Sequence, residues 1–387
     1  MYVWGARAER KRRSLARYPL RAGDRAVRSN DPLQIRLGLY ASPMPAKVRL
    51  SPNLNAIGIG KMGRTLMSAG EGAKALALVE QFLRDHPNDP ELRCLAQDVL
   101  SHSIPSWHRP MLADAERNEA FSRAISRAVS GGKTLLDIGA GSGVLSLIAA
   151  RAGAATVYGC EANGVLAATA RQIVASNGFS ENVHILSKAS TELDPDSDLG
   201  GGVDVIVGEV FSNDLLSEHA LRTFHDAASR LALNGAQIIP AKATIKVALA
   251  YYEDGAQVAL ADVQGFDLSL FGKHLKPSLT VPVGSETLHL RSEPADLFSF
   301  DLQAGRAFAN ERTELSLTCR GGVANGVVRW IQLTMDDVET YENMPSHGRK
   351  SHWGALFMPL FAGEVADRMT VSVHAVHDRE HVRLWNA

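Results

Sequence analysis

The sequence predicts an α/β protein with a Rossmann-like parallel sheet, followed by an all-β, barrel-like domain and preceded by a small helical segment. Three observations carry that prediction. Short apolar strands alternate with amphipathic helices between about residues 134 and 240, the pattern of a mostly parallel sheet covered on both faces. Beyond Pro240 the helical periodicity fades, and segments with strand-like alternation replace it. Before residue 104, small and apolar residues recur at helical spacing, interrupted near residues 70–72 and by Pro-Asn-Asp-Pro at 87–90.

At 387 residues the chain is too long for one ordinary domain, and four segments follow from its patterning. Residues 1–50 read as a basic arm without packed structure. Residues 51–103 read as antiparallel helices similar to a tetratricopeptide-type repeat, of which only about one unit is visible. Residues 104–240 form the Rossmann-like domain, with strands expected at 134–138, 156–160, 183–186, 203–207 and 237–239. Helices are expected between them at 144–151, 166–176 and 221–233. Residues 241–387 form the β domain, with strands expected at 244–250, 288–291, 314–319, 327–334, 355–360 and 369–376.

The net charge of −1 hides an asymmetry. Twelve Lys and Arg against three acids give residues 1–50 a charge of +9, leaving −10 on the remainder. An acidic body attracts basic partners and repels nucleic-acid backbone, so no specific nucleic-acid partner is expected. The basic head has several readings: a solvated arm, a chain whose true start is Met44 or Met62, or a targeting or anion-binding segment. No uncharged apolar run approaches the roughly 18 residues of a membrane span. Cys94, Cys160 and Cys319 lack the spacing of a zinc site or a disulfide framework, and predict reduced thiols in a cytoplasmic protein.

The chemistry is carried by three loops. Leu135-Leu136-Asp137-Ile138-Gly139-Ala140-Gly141-Ser142-Gly143 places a glycine-rich turn between an apolar strand and a helix, where glycines let backbone approach a ligand. The spacing is G-x-G-x-G, and a dinucleotide fingerprint would need glycine where Val144 stands. Glu161 closes the next strand, 24 positions after Asp137, where a carboxylate can accept both ribose hydroxyls of an adenosyl group. The fourth strand runs into Glu209, with Glu218 nine residues later on the far limb of the same loop. Two carboxylates at the carboxyl edge of a parallel sheet suit a guanidinium, a planar fork of five donors that stays charged. Taken alone, two such acids could equally be solvated loop residues.

These segments, in order, resemble the protein arginine methyltransferases from about residue 106 to about 360. Trp107-His108-Arg109-Pro110-Met111-Leu112-Ala113-Asp114 with Arg117 and Ala124-Ile125 looks like the helix that covers the cofactor in that family. LDIGAGSGVLSLIAARAGA and VYGCEAN resemble its first two motifs, GEVFSNDLLSE its double-glutamate loop, VQGFDLSLF its barrel-and-arm region, and Lys350-Ser351-His352-Trp353 its Thr-His-Trp loop with Ser for Thr. The resemblance implies S-adenosyl-L-methionine as cofactor, bound by His108, Arg117, Asp137, Gly139, Gly141 and Glu161. It implies Glu209 and Glu218 as the guanidinium clamp, Asp114 and His352 as the proton-handling pair, and Met111 and Trp353 as walls of the acceptor pocket. No metal is implied. It further implies Arg-containing protein substrates and a homodimer made through an arm at 251–277. The single glycine loop argues against a pseudo-dimer within one chain.

Two departures from the family pattern bear on the product. Residues 95–110 contain no tyrosine where many members carry a pair, and Thr191 stands where many place an acid near the adenine. The degree and symmetry of methylation therefore stay open. So do two other readings: a methyltransferase for another protein side chain or a small guanidino compound, and a non-catalytic scaffold.

Overall fold

The computed structural model describes residues 56–101, 104–255, 260, 262–345, 348, 350–359 and 363–386. The basic arm and parts of the 251–277 segment lie outside the described residues. Three helices open the structure: α1 (Ala56–Ser68), α2 (Gly72–Asp85) and α3 (Pro90–Ser101). The breaks fall at the expected glycine and proline positions. Ile59, Leu78, Phe82 and Leu92 form their small shared core. Gly72 lies close against the backbone of Gly164 and Val165, and Gln172 donates to Glu80 at 2.7 Å, so this layer rests on the outer face of the next domain.

The short α4 (His108–Leu112) and the helix α5 (Ala115–Ala128) then lead into the parallel sheet. Its parts are β1 (Thr134–Ile138), α6 (Val144–Arg151), β2 (Thr156–Cys160), α7 (Gly164–Ser176), β3 (Val183–Leu186), α8 (Pro195–Leu199), β4 (Val203–Gly208), α9 (Ala220–Arg230) and β5 (Ala232–Ile239). The spatial order is β3-β2-β1-β4-β5, every pair parallel. The connection reverses direction between β1 and β4, which makes the carboxyl end of these two strands the crevice where such sheets take ligands. Helix α9 stops at Arg230, short of the expected 233, because Ala232 already pairs with Val203 in β5.

The β domain comprises β6 (Lys242–Tyr252), a helical turn α10 (Ser269–Gly272), β7 (Leu279–Val281), β8 (Leu288–Leu290), β9 (Ala295–Asp301), β10 (Glu311–Thr318), β11 (Gly326–Thr334), β12 (Thr340–Glu342), β13 (Ala355–Pro359), β14 (Thr370–His377) and β15 (Val382–Asn386). One sheet runs β7-β13-β11-β6-β8 with β9 on β6 and β12 on β11, and a second runs β10-β14-β15. The strands at 279–281, 295–301, 340–342 and 382–386 were not expected; the first and third span three residues each, too few alternating positions to register as a period. Strand β11 feeds two cores: Val328 and Trp330 pack with Val281, Leu288 and Phe357, whereas Val327, Ile331 and Leu333 join the large core that continues beneath the parallel sheet. Helix α5 also bridges to this domain. Arg123 grips Glu339 in a two-point fork at 2.7 and 2.9 Å, and Arg127 reaches Asp336 at 2.8 Å.

Candidate active site and cofactor cavity

The glycine loop follows from its torsions. Gly139, Gly141 and Gly143 all have positive φ, at 69°, 54° and 81°, a region that costs a side chain strain. At Gly139 a Cβ would also stand 2.9 Å from the Val210 side chain. The turn is pinned from both sides. Asp137 accepts the Ser146 amide at 3.0 Å and its hydroxyl at 2.7 Å, satisfying a free donor in the first turn of α6. Glu161 accepts the Gly141 amide at 3.0 Å and the Asn163 amide at 2.7 Å. The acid expected at the ribose therefore also shapes the loop.

Nine of the twelve site residues expected from the sequence line one cavity of about 330 Å³: His108, Met111, Arg117, Asp137, Gly139, Gly141, Glu161, Glu209 and Glu218. Helices α4 and α5 supply one wall, the glycine loop and the end of β2 another, and the loop after β4 the third. That last loop is strained, with Leu215 at φ 71° and His219 at φ 60°. A buried leucine in the left-handed region costs on the order of 1–3 kcal/mol, a cost that clusters at functional sites.

The two acids of the loop are not equivalent. The Glu209 side chain is 6% exposed and binds Arg117 Nη2 at 2.6 Å, with Arg117 itself 2% exposed. Burial pushes the Glu209 carboxyl well above the usual range, against the opposing pull of Arg117. Glu218 lies exposed at the rim. Its carboxyl is also raised, by partial burial and by the charge of Asp214. Arg117 sits over the Phe121 ring, 5.1 Å from its centroid, and donates to Asn118 at 2.7 Å.

The expected Asp114–His352 pair is present, with His352 Nδ1 at 3.0 Å from Asp114 Oδ2. Asp114 caps α5 by accepting the Arg117 amide at 3.0 Å and takes the His352 amide at 3.0 Å. Tyr341, which sequence reasoning missed, donates its hydroxyl to the same oxygen at 3.2 Å and lies 2.7 Å from Ser351 Oγ. Trp353 donates its amide to Ser351 at 3.1 Å. A directed chain of donors therefore ends on Asp114, whose carboxyl is held down to about 2 by His352 and Arg117 despite burial. Burial lowers the His352 pKa, so the ring is neutral near pH 7 with Nδ1–H toward Asp114. Trp353, expected as a pocket wall, does not line this cavity. It is buried, and its indole donates to the Phe211 carbonyl at 2.8 Å, bracing the double-acid loop.

A family model described as Ribosomal protein L11 methyltransferase (PrmA) matches residues 122–240, the extent of the parallel sheet. An arginine N(omega)-methyltransferase of Streptomyces achromogenes subsp. streptozoticus is 33% identical over 323 residues, covering 82% of this chain and 88% of that protein. The chain belongs to the arginine methyltransferase family. It is also similar to the protein arginine N-methyltransferase 7 of Aedes aegypti, at 31% identity over 58% of this chain, but spans only 36% of that relative's length. Among solved structures, the Trypanosoma brucei PRMT1 enzyme-prozyme heterotetrameric complex with AdoHcy matches with TM-score 0.62 and 26% identity, over 71% of this chain and 88% of that one. The Arabidopsis thaliana protein arginine methyltransferase 10 shares the fold, with TM-score 0.60 at 18% identity over 72% and 90%.

The reaction of this arginine methyltransferase is transfer of a methyl group from S-adenosylmethionine to a guanidino nitrogen, and its cavity fits that cofactor. Among the described residues, Arg117 Nε and Asp137 Oδ1 are buried without a hydrogen-bond partner, and both residues line the cavity. Orphaned buried polar atoms are rare. One donor on a cation and one acceptor on an acid match the carboxylate and ammonium of a methionyl group.

Proposed function

We propose that the acceptor guanidinium is gripped between Glu209 and Glu218, with Arg117 and Asp137 on the methionyl end of the cofactor and Glu161 on its ribose. The observation that carries this reading is that both loop acids line the same cavity as the glycine loop and Glu161. The cofactor supplies a methyl group already activated on a sulfonium. The chain's own task is to align one guanidino nitrogen with it, and such alignment accounts for much of the barrier reduction. Ionised Glu209 and Glu218 draw positive charge onto the nitrogens they hold, leaving lone-pair character on the one aimed at the methyl. The departing proton goes to Glu218 or to the unprotonated Nε2 of His352, whose tautomer Asp114 and Tyr341 fix. Met111 contributes to the acceptor wall.

The sequence points to Arg-containing proteins as acceptors. A second reading, arginine as a free amino acid, is supported by the Streptomyces relative covered over 88% of its length, an arginine N(omega)-methyltransferase whose name specifies arginine and no protein. The test of the clamp is Glu218→Gln, which keeps shape and removes charge. We expect kcat to fall roughly 100- to 1000-fold with cofactor affinity nearly unchanged, measured with labelled cofactor and mass spectrometry of the product arginine. Near-normal turnover, or methylation of lysine in place of arginine, would remove the clamp.

Assembly and place belong to the same proposal. The described part of the 251–277 segment exposes Phe266 (70%), Leu270 (72%) and Phe271 (60%) along and beside α10, an apolar surface that supports a two-fold homodimer. Three free thiols support a reducing, cytoplasmic setting. The α1–α3 layer supports a tetratricopeptide-like reading of the N-terminal segment.

A further inference from the structure

Arg329 stands where the fold calls for an apolar residue. It lies on β11, paired on one side with Leu356 of β13 and on the other with Val247 of β6. Side chains two apart along a strand share a face, and the flanking positions on this face, Val327 and Ile331, belong to the main hydrophobic core. Arg329 is half-buried there, and a cation drawn out of water is expensive unless it is paired. Yet among the described residues no carboxylate lies within 4.0 Å of it, and its guanidinium makes one long contact, Nη1 to the Val382 carbonyl at 3.5 Å. Burial depresses its pKa, against the opposing pull of Asp214.

The side chain instead lines a second cavity of about 590 Å³, within the range of small-molecule sites. Ser212, Asp214 and Ser217 of the double-acid loop form one wall and β11, β13 and β15 the others. Lys276 stands on its rim, also without an acid within 4.0 Å among the described residues, whereas Arg383 and His381 face Asp378. Asp214, the nearest acid that Arg329 senses, is consumed by its own loop. It accepts the Ser212 and Ser217 hydroxyls and the Leu216 and Ser217 amides. The same Asp214 raises the Glu218 carboxyl, and Ser217 is the immediate neighbour of Glu218. The cavity therefore begins one residue along the loop from the clamp.

We propose that this cavity, with Arg329 at its base and Lys276 at its mouth, binds a carboxylate carried by the guanidino acceptor. The source the charges favour is the α-carboxylate of arginine itself. A half-buried guanidinium in a cavity wall suits a planar carboxylate in a two-point fork. The cationic neighbours of an arginine-rich protein segment would be repelled by Lys276 and Arg329. This inference rests on the clamp reading above and adds to it the end of the acceptor distal from the reacting nitrogen.

The test compares arginine, agmatine (the same guanidino chain without the carboxylate), an Arg peptide with neutral flanks and one with acidic flanks, each with labelled cofactor. We expect kcat/KM for arginine to exceed that for agmatine by roughly 10- to 100-fold, the value of a hydrogen-bonded charge partner. Arg329→Gln, shown by calorimetry to bind cofactor, should bring arginine down to the level of agmatine. Lys276→Ala, at an exposed position that cannot threaten the fold, should erode the preference in part. A peptide preferred for its acidic flanks, with the same dependence on Arg329, would assign the carboxylate to a protein side chain. Equal use of arginine and agmatine, or a preference untouched by Arg329→Gln, would overturn the site while leaving arginine methylation intact. Failure of every guanidino compound would instead strike the clamp.

Discussion

Glu209 and Arg117 set the acid side of the enzyme's pH response. Burial pushes the Glu209 carboxyl up to about 7, and Glu218 is displaced in the same direction. A carboxyl must be ionised to hold a guanidinium, so kcat/KM should rise with pH through neutrality and level off above it. His352 is already neutral there because its pKa is lowered, and it adds no descending limb. For folding, the sign is opposite to that of an ordinary paired acid. The folded state binds the Glu209 proton more tightly than the unfolded chain, so this group's contribution to stability falls as pH rises from about 4.5 to about 7. A kcat/KM profile flat across neutrality would contradict the assignment. Glu161 offers a second residue-scale test. Removing a charged hydrogen-bond partner costs about 1.5–3 kcal/mol, and Glu161→Ala also releases the Gly141 and Asn163 amides. Calorimetric loss of cofactor affinity should therefore lie toward the top of that range. An unchanged affinity in a folded variant would take Glu161 out of the ribose site.

Elements place these residues by close approach. Strand β11 can pair with β13 because residue 326 has no side chain. A Cβ there would fall 2.2 Å and 2.3 Å from Phe357 ring atoms and 2.6 Å from the Met358 carbonyl. Backbone cannot yield as a flexible side chain can, so Gly326→Ala should destabilise the protein by about 1–3 kcal/mol through overpacking. Scanning calorimetry should record a melting point lower by several degrees, and an unaltered transition would mean the two strands can separate without cost. Helix α5 shows how one element serves two sites. Its cap, Asp114, orients His352, its Arg117 holds Glu209, and its outer face carries Arg123 and Arg127 to the β domain. The regular elements of the parallel sheet were legible in the sequence because apolar runs of five residues between glycine and helix signals have few alternatives. The short strands β7 and β12 were not, since they span three residues each and owe their conformation to the strands they pair with, whereas the equally short β8 was legible from its apolar alternation.

At the scale of the whole molecule, an apolar surface calls for cover. Phe266, Leu268, Leu270, Phe271 and Leu275 are all exposed within ten residues, and contiguous apolar surface of this kind marks contact sites. Sedimentation at micromolar concentration should show a dimer, and Leu270→Ser with Phe271→Ser should shift it to monomer. A wild-type protein that sediments only as monomer would assign the arm another partner. No helix among the described residues is long and apolar enough to cross a membrane.

The sequence by itself determined the strand order's raw material, the glycine loop, the acid 24 positions on, and the two glutamates nine residues apart. Each of these is local: a torsion only glycine adopts cheaply, or a carboxylate at a strand end. It also paired Asp114 with His352 by resemblance across 238 positions, and the folded chain brings them to 3.0 Å. What only the tertiary structure decided is how charges share partners. Arg117 was expected at a cofactor carboxylate, and in the folded chain its guanidinium takes Glu209, a contact between residues 92 apart. Tyr341 is an unremarkable aromatic in sequence, and becomes a donor to Asp114 because β12 folds onto α5. Arg329, in the run Val327-Val328-Arg329-Trp330-Ile331, looks like a strand residue with its charge in water. Half-burial in a cavity wall, with no acid within 4.0 Å among the described residues, is what makes it the recognition residue proposed above, because the energy of a charge depends on its surroundings and not on its place in the chain.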